Sequence, residues 1–426
     1  MDGPPKSRTP PELAGSEGAK AEVPGGVSRQ KVTTNPVDVR KRERFRLHTI
    51  ARSVLRRDAA KRKPGEFPGK VHRTIDCTWA RIGDVSLVKP AGRDSYHYKG
   101  LATCGVLWSC PICASKIQER RRVEVAAAVV WAESRGKQAC MVSYTFPHRG
   151  GDALSDLLHA QQKALAWMRG SRAYKSIMES LGFDGRIRAL EVTHGDNGWH
   201  PHTHELLFLD CLPGESVRDA LASLWLKACR KYGLFVDGRD VEDNFMRYSV
   251  DITASSQAAA KYLAKLDDQN KWTLSHELTK SASKQGRRNG RHPFQLLQEK
   301  ATEHLFLEYV WGMKGQRQLI WSRGLKDAVG IKEQTDEEIA TVETEVADDQ
   351  IGIGARAWHF VRSNDARFEL LRAAELAGRD GVARFFDLLG VTEDDEQRSG
   401  DFVGRSRRFG NAHDPYAYRC RRAAAA

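Results

Sequence analysis

Apolar and polar residues recur at two periods along this chain, and each switch of period marks an element. Alternation at period two places neighbouring side chains on opposite faces. It predicts strands over 138–146, 186–193, 199–209 and 245–252, with Pro147 stopping the first. Apolar residues three or four apart predict helices. One covers 152–180 through Leu154, Leu157, Leu158, Leu165 and Met168, with Asp152 as N-cap. A second covers 213–232 through Val217, Leu221, Leu224 and Ala228, and a third starts near Ser255. Gly195-Asp196-Asn197-Gly198 tolerate positive φ, so the strands on either side read as one antiparallel hairpin.

The flanks are less regular. Phe45, Ile50, Val54 and Leu55 form a sparse stripe on a strongly basic helix that ends before Pro64-Gly65. That helix reads either as one lying on a nucleic-acid backbone or as a solvated one. Another helix opens at Lys116 and runs to about Trp131, with Arg120, Arg121 and Arg122 near its start. Positive charge there opposes the helix dipole, and phosphate pairing would account for it. Further on, the pattern predicts a helix over 293–313, a short strand over 319–321 and amphipathic helices over 356–390. The acidic stretch 335–350 reads as a solvated helix or linker. The N-terminal 39 residues and the tail after Glu393 lack periodic apolar positions and read as disordered. The fold class predicted is α+β: a central antiparallel sheet with helices on one side.

Charge then narrows the partner. The formal net charge of +13 suits a polyanion such as DNA. Apolar residues make up 40% of the chain, yet no run approaches the length of a bilayer span, so no membrane segment is expected. Met1-Asp2-Gly3-Pro4-Pro5 lacks a charged-then-apolar signal pattern, and a cytoplasmic location is the expectation. Eight cysteines in such a compartment argue against a disulfide framework.

Three groups of residues carry candidate chemistry. His200, His202 and His204 alternate, so they share one face of the predicted strand, with imidazoles about 7 Å apart along it. They could grip one divalent ion or simply line a histidine-rich edge. The hairpin brings Glu191 across from them, as a ligand or as a solvent-facing residue. Two imidazoles and a carboxylate favour Mn²⁺ or Mg²⁺ over a closed zinc site. Next, Cys110-Pro111-Ile112-Cys113 with Cys104 upstream suits a structural Zn²⁺, with Cys77 or His97 as the fourth ligand. A redox motif is the rival, disfavoured because no βαβ pattern surrounds the pair. Last, Tyr262 and Lys265 are three apart on a predicted helix and project from one face. The lysine could favour the phenolate and neutralise a phosphate, or Tyr262 could be a core residue. Lys284, Arg287 and Arg288 lie in a basic loop suited to phosphates or to solvent.

Taken in order, these stretches resemble the rolling-circle replication initiators of small bacterial plasmids. These belong to the histidine-hydrophobe-histidine endonucleases, and the likeness is nearest to the staphylococcal and streptomycete plasmid group. Val142-Ser143-Tyr144-Thr145-Phe146 is similar to the first family motif. His200-Pro201-His202-Thr203-His204-Glu205 is similar to the metal motif, and Lys261-Tyr262-Leu263-Ala264-Lys265 to the tyrosine motif. Cys104 to Cys113 is similar to a cysteine segment of the group. The resemblance implies His202 and His204 as ligands of a catalytic Mn²⁺ or Mg²⁺, joined by Glu191, with His200 as an alternate. It implies Tyr262 as nucleophile, giving a 5′-phosphotyrosyl enzyme and a free 3′-hydroxyl primer, with Lys265 assisting. Arg120, Arg121, Arg122, Lys261, Lys284, Arg287 and Arg288 would contact DNA.

The implied layout is a disordered tail (1–39), a basic and zinc-binding subdomain (40–135), a ferredoxin-like nickase domain (136–325), an acidic linker (326–350) and a helical C-terminal region (351–426). The implied partners are origin duplex and single-stranded DNA, then a host helicase and polymerase. Where some members carry a Glu one turn before the tyrosine, this sequence has Ala258 beside Gln257. Single-tyrosine transposases, relaxases and a non-enzymatic zinc-containing DNA-binding protein are the rivals.

Overall fold

A computed structural model describes residues 35–61, 72–254, 290–341 and 347–390. The N-terminal helix α1 (Pro36–Lys61) buries Phe45, Leu47, Ala51, Val54 and Leu55. Strands β1 (Arg81–Pro90) and β2 (His97–Leu101) follow, then α2 (Pro111–Ser134) and β3 (Gln138–Tyr144). Helices α3 (Leu154–Gly170) and α4 (Arg172–Ser180) lead into the hairpin of β4 (Gly185–Gly195) and β5 (Gly198–Leu209). After it come α5 (Glu215–Lys231), α6 (Glu242–Tyr248) and β6 (Val250–Ala254). The remaining elements are α7 (Glu303–Gly312), β7 (Leu319–Trp321), α8 (Leu325–Val329), α9 (Asp336–Thr341), β8 (Ala347–Ile353), α10 (Ala355–Ser363) and α11 (Arg367–Leu388).

The strands form two antiparallel sheets, one of five strands in the order β6-β3-β5-β4-β7 and one of three in the order β2-β1-β8. The architecture is α+β as expected, but helices cover both faces of the larger sheet. On one face, Met141, Ile187, Ala189, Leu206 and Phe208 pack with Val125, Ala128, Val129 and Ala132 of α2. On the other, Val142, Tyr144, Leu207 and Leu209 join the main core with Leu157, Leu158 and Leu165 of α3 and Leu221 and Trp225 of α5. Glu205 is fully buried on that second face and pairs with Arg169 and Arg186. Because period-two alternation continues along β5, the histidines extend the α2-covered face.

Several elements differ from the sequence expectation. The helix read over 152–180 is broken at Ser171, whose hydroxyl accepts from the Tyr174 N–H at 3.2 Å and donates to the Met168 carbonyl at 2.7 Å. Ala153 occupies the N-cap position, and Asp152 accepts instead from the Arg149 backbone N–H at 2.7 Å. The strand read over 245–252 is a helical turn followed by a strand that starts only at Val250. Glu242 and Asp243 favour the helical start by facing its positive end. The 293–313 region is two short 3₁₀ turns followed by α7. The predicted helix near Ser255, which carries Tyr262, lies outside the described residues.

The stretch expected as an acidic linker does not separate the parts. β8 pairs with β1 from Val85↔Ile353 to Pro90↔Ala347. Arg367 of α11 is fully buried and donates to the α1 groups His48 Nδ1 (2.9 Å) and Thr49 Oγ1 and to Thr78 Oγ1 (3.1 Å). The upstream basic region and the C-terminal helices therefore share one core, and α1 spends its apolar stripe on packing. No helix among the described residues is long and apolar enough to cross a membrane.

Candidate metal centres

The hairpin is in register from Gly185↔Phe208 to Gly195↔Gly198, with Glu191 opposite His202. Gly198 sits at φ +83, and a Cβ there would stand 2.7 Å from the Arg149 carbonyl oxygen. Only glycine fits that combination without strain. Opposed residues share a face, so Glu191, His200, His202 and His204 all project from one side.

His204 is the best defined of the four. It is buried, its Nε2 lies 2.9 Å from Glu191 Oε2, and its Nδ1 lies 2.8 Å from Ser143 Oγ. Ser143 reaches it because β3 pairs Ser143 with His204. His204 and Glu191 form a close pair; among the described residues, three or more ligand atoms within 4.8 Å of one another occur only at the four cysteines. Cis ligands about 2.1 Å from an octahedral ion stand about 3.0 Å apart, close to the Nε2–Oε2 separation. With a cation on Nε2, Nδ1–H donates to the Ser143 hydroxyl, the outer bond that usually fixes a ligating imidazole.

The His202 ring runs parallel to that of His204, with centroids 5.9 Å apart. The His200 ring lies tilted against His202 with centroids 3.7 Å apart, and His148 lies tilted against His200 at 4.2 Å. His148 donates from Nδ1 to the Asn197 carbonyl at 2.9 Å. His292 is a further neighbour: burial pushes its imidazole down to about 4, with Glu191 as the opposing charge. Its Nδ1 accepts the Phe294 N–H at 3.2 Å. In the sequence Ser143 stands only in a strand motif, because its contact with His204 depends on the long-range pairing of β3 with β5. His148 and His292 carried no spacing signal.

The second centre is built from Cys77, Cys104, Cys110 and Cys113, all buried, with sulfurs within 4.8 Å of one another. Cys77–Cys113, Cys104–Cys113 and Cys77–Cys110 are each 3.6 Å apart. A tetrahedral zinc with Zn–S of about 2.3 Å requires edges of about 3.8 Å. This buried four-cysteine cluster could bind a structural metal such as zinc. Cys77 stands in the cluster, whereas His97, the other candidate, lies on β2.

Local geometry explains the knuckle. Cys110 caps α2 and its sulfur accepts the Cys113 N–H at 3.5 Å, while the Cys104 sulfur accepts the Val106 N–H at 3.4 Å. Gly105, at φ +60, would put a Cβ 2.6 Å from Glu337 Cα. Burial pushes the Cys104 and Cys110 thiols up, whereas Cys113, bonded by the other three, is held well below the usual thiol range. The two centres are linked through aromatic rings. Trp108 of the knuckle meets Tyr309 edge-on, and Tyr309 stacks with Trp199 of the hairpin, each at 6.2 Å.

The arginine run is placed differently from its expectation. α2 begins at Pro111, five residues before Lys116, so Arg120, Arg121 and Arg122 sit in mid-helix and the dipole argument does not apply. Arg121 is largely buried and pairs with Glu124 and Asp336. Arg122 pairs with Glu119 at 2.7 Å, and the exposed Arg120 lies 3.6 Å from Glu124. Lys261, Tyr262, Lys265, Lys284, Arg287 and Arg288 lie outside the described residues.

Comparison with known proteins adds the family. Protein rep of Streptomyces lividans is 30% identical over 357 residues, covering 66% of this chain and 76% of that protein. The chain belongs to the streptomycete plasmid Rep family. The chain is also similar to a neomycin resistance protein of Streptomyces cyanogenus, 34% identical over 136 residues, or 26% of this chain and 31% of that protein. No family model and no solved structure matches the chain. As a plasmid replication protein of the Rep family, it acts on plasmid DNA.

Proposed function

We propose that this Rep protein is a metal-dependent nickase of the histidine-hydrophobe-histidine class that opens one strand at a plasmid origin. The observation that carries the reading is His204, held at Nδ1 by Ser143 and at Nε2 by Glu191, beside the parallel ring of His202. His202, His204 and Glu191 would hold Mn²⁺ or Mg²⁺, with His200 as an alternate ligand. Such a cation supplies charge neutralisation and Lewis-acid polarisation to the scissile phosphate.

The protein's own groups do the rest. The Tyr262 phenolate attacks phosphorus in line, the P–O3′ bond breaks, and the 3′ oxygen takes a proton. The products are a 5′-phosphotyrosyl ester and a 3′-hydroxyl that a host polymerase can extend after a helicase opens the duplex. The ester conserves the phosphodiester energy, so rejoining needs no ATP. Lys265 neutralises the phosphate or the phenolate. Lys261, Lys284, Arg287, Arg288 and the exposed Arg120 contribute to backbone attraction. The cysteine cluster, with zinc, braces α2 against the sheet.

Incubating the protein with labelled single-stranded origin DNA and Mn²⁺ tests this. A covalent protein–DNA band should form, vanish in EDTA and be lost in His204→Ala. A protein that binds DNA without forming the band would be a zinc-containing DNA-binding protein and not a nickase.

A further inference from the structure

We infer that a cleft beside β6, the outer strand of the five described, holds one unpaired nucleobase bearing an exocyclic amine at C4 or C6, cytosine or adenine in preference to thymine. The inference rests on the nicking reading for its direction, because it names where a strand crossing the histidine face would go next.

The cleft has a volume of about 460 Å³ and lies between the start of α5 and the segment that joins α6 to β6. That size suits a compact organic ligand. Its wall carries Tyr248, a residue 64% exposed, and Arg247, whose guanidinium lies 5.4 Å from the Tyr248 ring. An open aromatic ring beside a cation is the pairing that stacks a base and meets its phosphate. Glu215 and Asp251 add two exposed carboxylates. Carboxylates accept from the amino group at C4 of cytosine or C6 of adenine, whereas thymine and guanine carry a carbonyl oxygen at that position.

The platform is fixed. Arg218 donates to the carbonyls of Met246, Arg247 and Val250, which gathers the end of α6 and the start of β6 under one guanidinium. Arg218 is thereby committed to holding the backbone that presents Tyr248, and Arg247 is left as the phosphate partner.

Position links the cleft to the metal centre. Asp251 pairs with Ser143, and Ser143 pairs with His204. The three residues form one row across adjacent strands on one face. Strand spacing puts Asp251 about 10 Å from His204 along that row. A DNA strand whose phosphate rests at His204 and Glu191 can pass over Ser143 and Asp251 and turn its next bases over the β6 edge. The formal charge of +13 favours the approach of such a strand.

Fluorescence anisotropy with 12-mers of dC, dA and dT, using the full chain in EDTA, reads the cleft without cleavage. The dC and dA oligomers should bind more tightly than dT. Tyr248→Ala should weaken dC binding about tenfold, whereas Tyr248→Phe, which keeps the stacking face, should stay within about twofold. Replacing Glu215 and Asp251 together by Ala should erase the preference for dC over dT without lowering overall affinity. If Tyr248→Ala binds as the wild type with an unchanged thermal melt, or if dT binds as tightly as dC, the cleft is not a base site. The covalent assay in Mn²⁺ is separate: binding with this pattern but no covalent band would refute nicking and leave the cleft, and the reverse would refute the cleft alone.

Discussion

His48 has no room for a second proton. It is fully buried in α1, its Nδ1 accepts from Arg367, and the guanidiniums of Arg367 and Arg52 both face it. Burial first, then those two charges, hold its imidazole well below the usual histidine range, with Cys113 the opposing influence. In the unfolded chain the same group takes a proton near pH 6.5. Below that pH the unfolded state binds more protons than the folded one, so stability falls as pH falls towards the depressed folded value. The slope from one such group reaches at most about 1.4 kcal/mol per pH unit. Urea unfolding between pH 7 and pH 5 should therefore show a steeper loss for wild type than for His48→Asn, which keeps an acceptor but cannot titrate. Equal slopes would contradict this account of His48.

At the scale of elements, the hairpin depends on Gly198. Its φ of +83 and the nearby Arg149 carbonyl leave no space for a side chain. Gly198→Ala should cost more than about 1 kcal/mol and lower the melting temperature, since both strain and a backbone clash oppose it. A melt equal to wild type would show that the turn relaxes freely. The hairpin was also the most legible part of the sequence, because alternation through His200, His202 and His204 and a glycine at each end of the turn point to the same register. Elsewhere local pattern competed with tertiary contacts. Met246, Tyr248, Val250 and Ile252 alternate, but Arg218 ties the Met246 and Arg247 carbonyls into a helix end. Leu154 to Met178 looks continuous, but Ser171 caps a new helix within it. The start of α2 lies upstream of its sequence expectation because Cys110, a metal-type residue, serves as its cap. Ser143 was invisible as a partner of His204 because that contact exists only once β3 pairs with β5.

At the scale of the whole molecule, the first and last described segments pack against each other. β8 completes the sheet of β1 and β2, and Arg367 joins α11 to α1. Nothing local in the acidic stretch could announce that pairing, which sets residues more than 250 positions apart side by side, as in Leu87↔Ile351. The cysteine cluster sits in this same core, and Trp108 carries it towards the hairpin through Tyr309 and Trp199. The purified protein should then contain about one zinc per chain. Cys77→Ser should lower both the zinc content and the unfolding midpoint, and should loosen the hairpin as well as the knuckle. Full metal-free stability, read by calorimetry after chelation, would show that the four thiols are core residues alone.

On the proposed reading, this Rep protein joins itself to DNA through a tyrosine that meets the histidine face. The most direct measurement is mass spectrometry of the covalent product formed with a single-stranded origin oligonucleotide and Mn²⁺. After proteolysis and nuclease trimming, the nucleotide should be found on the peptide containing Tyr262, as a phosphotyrosyl ester, and Tyr262→Phe should yield none. A nucleotide attached at any other residue, or an undiminished adduct in Tyr262→Phe, would contradict it.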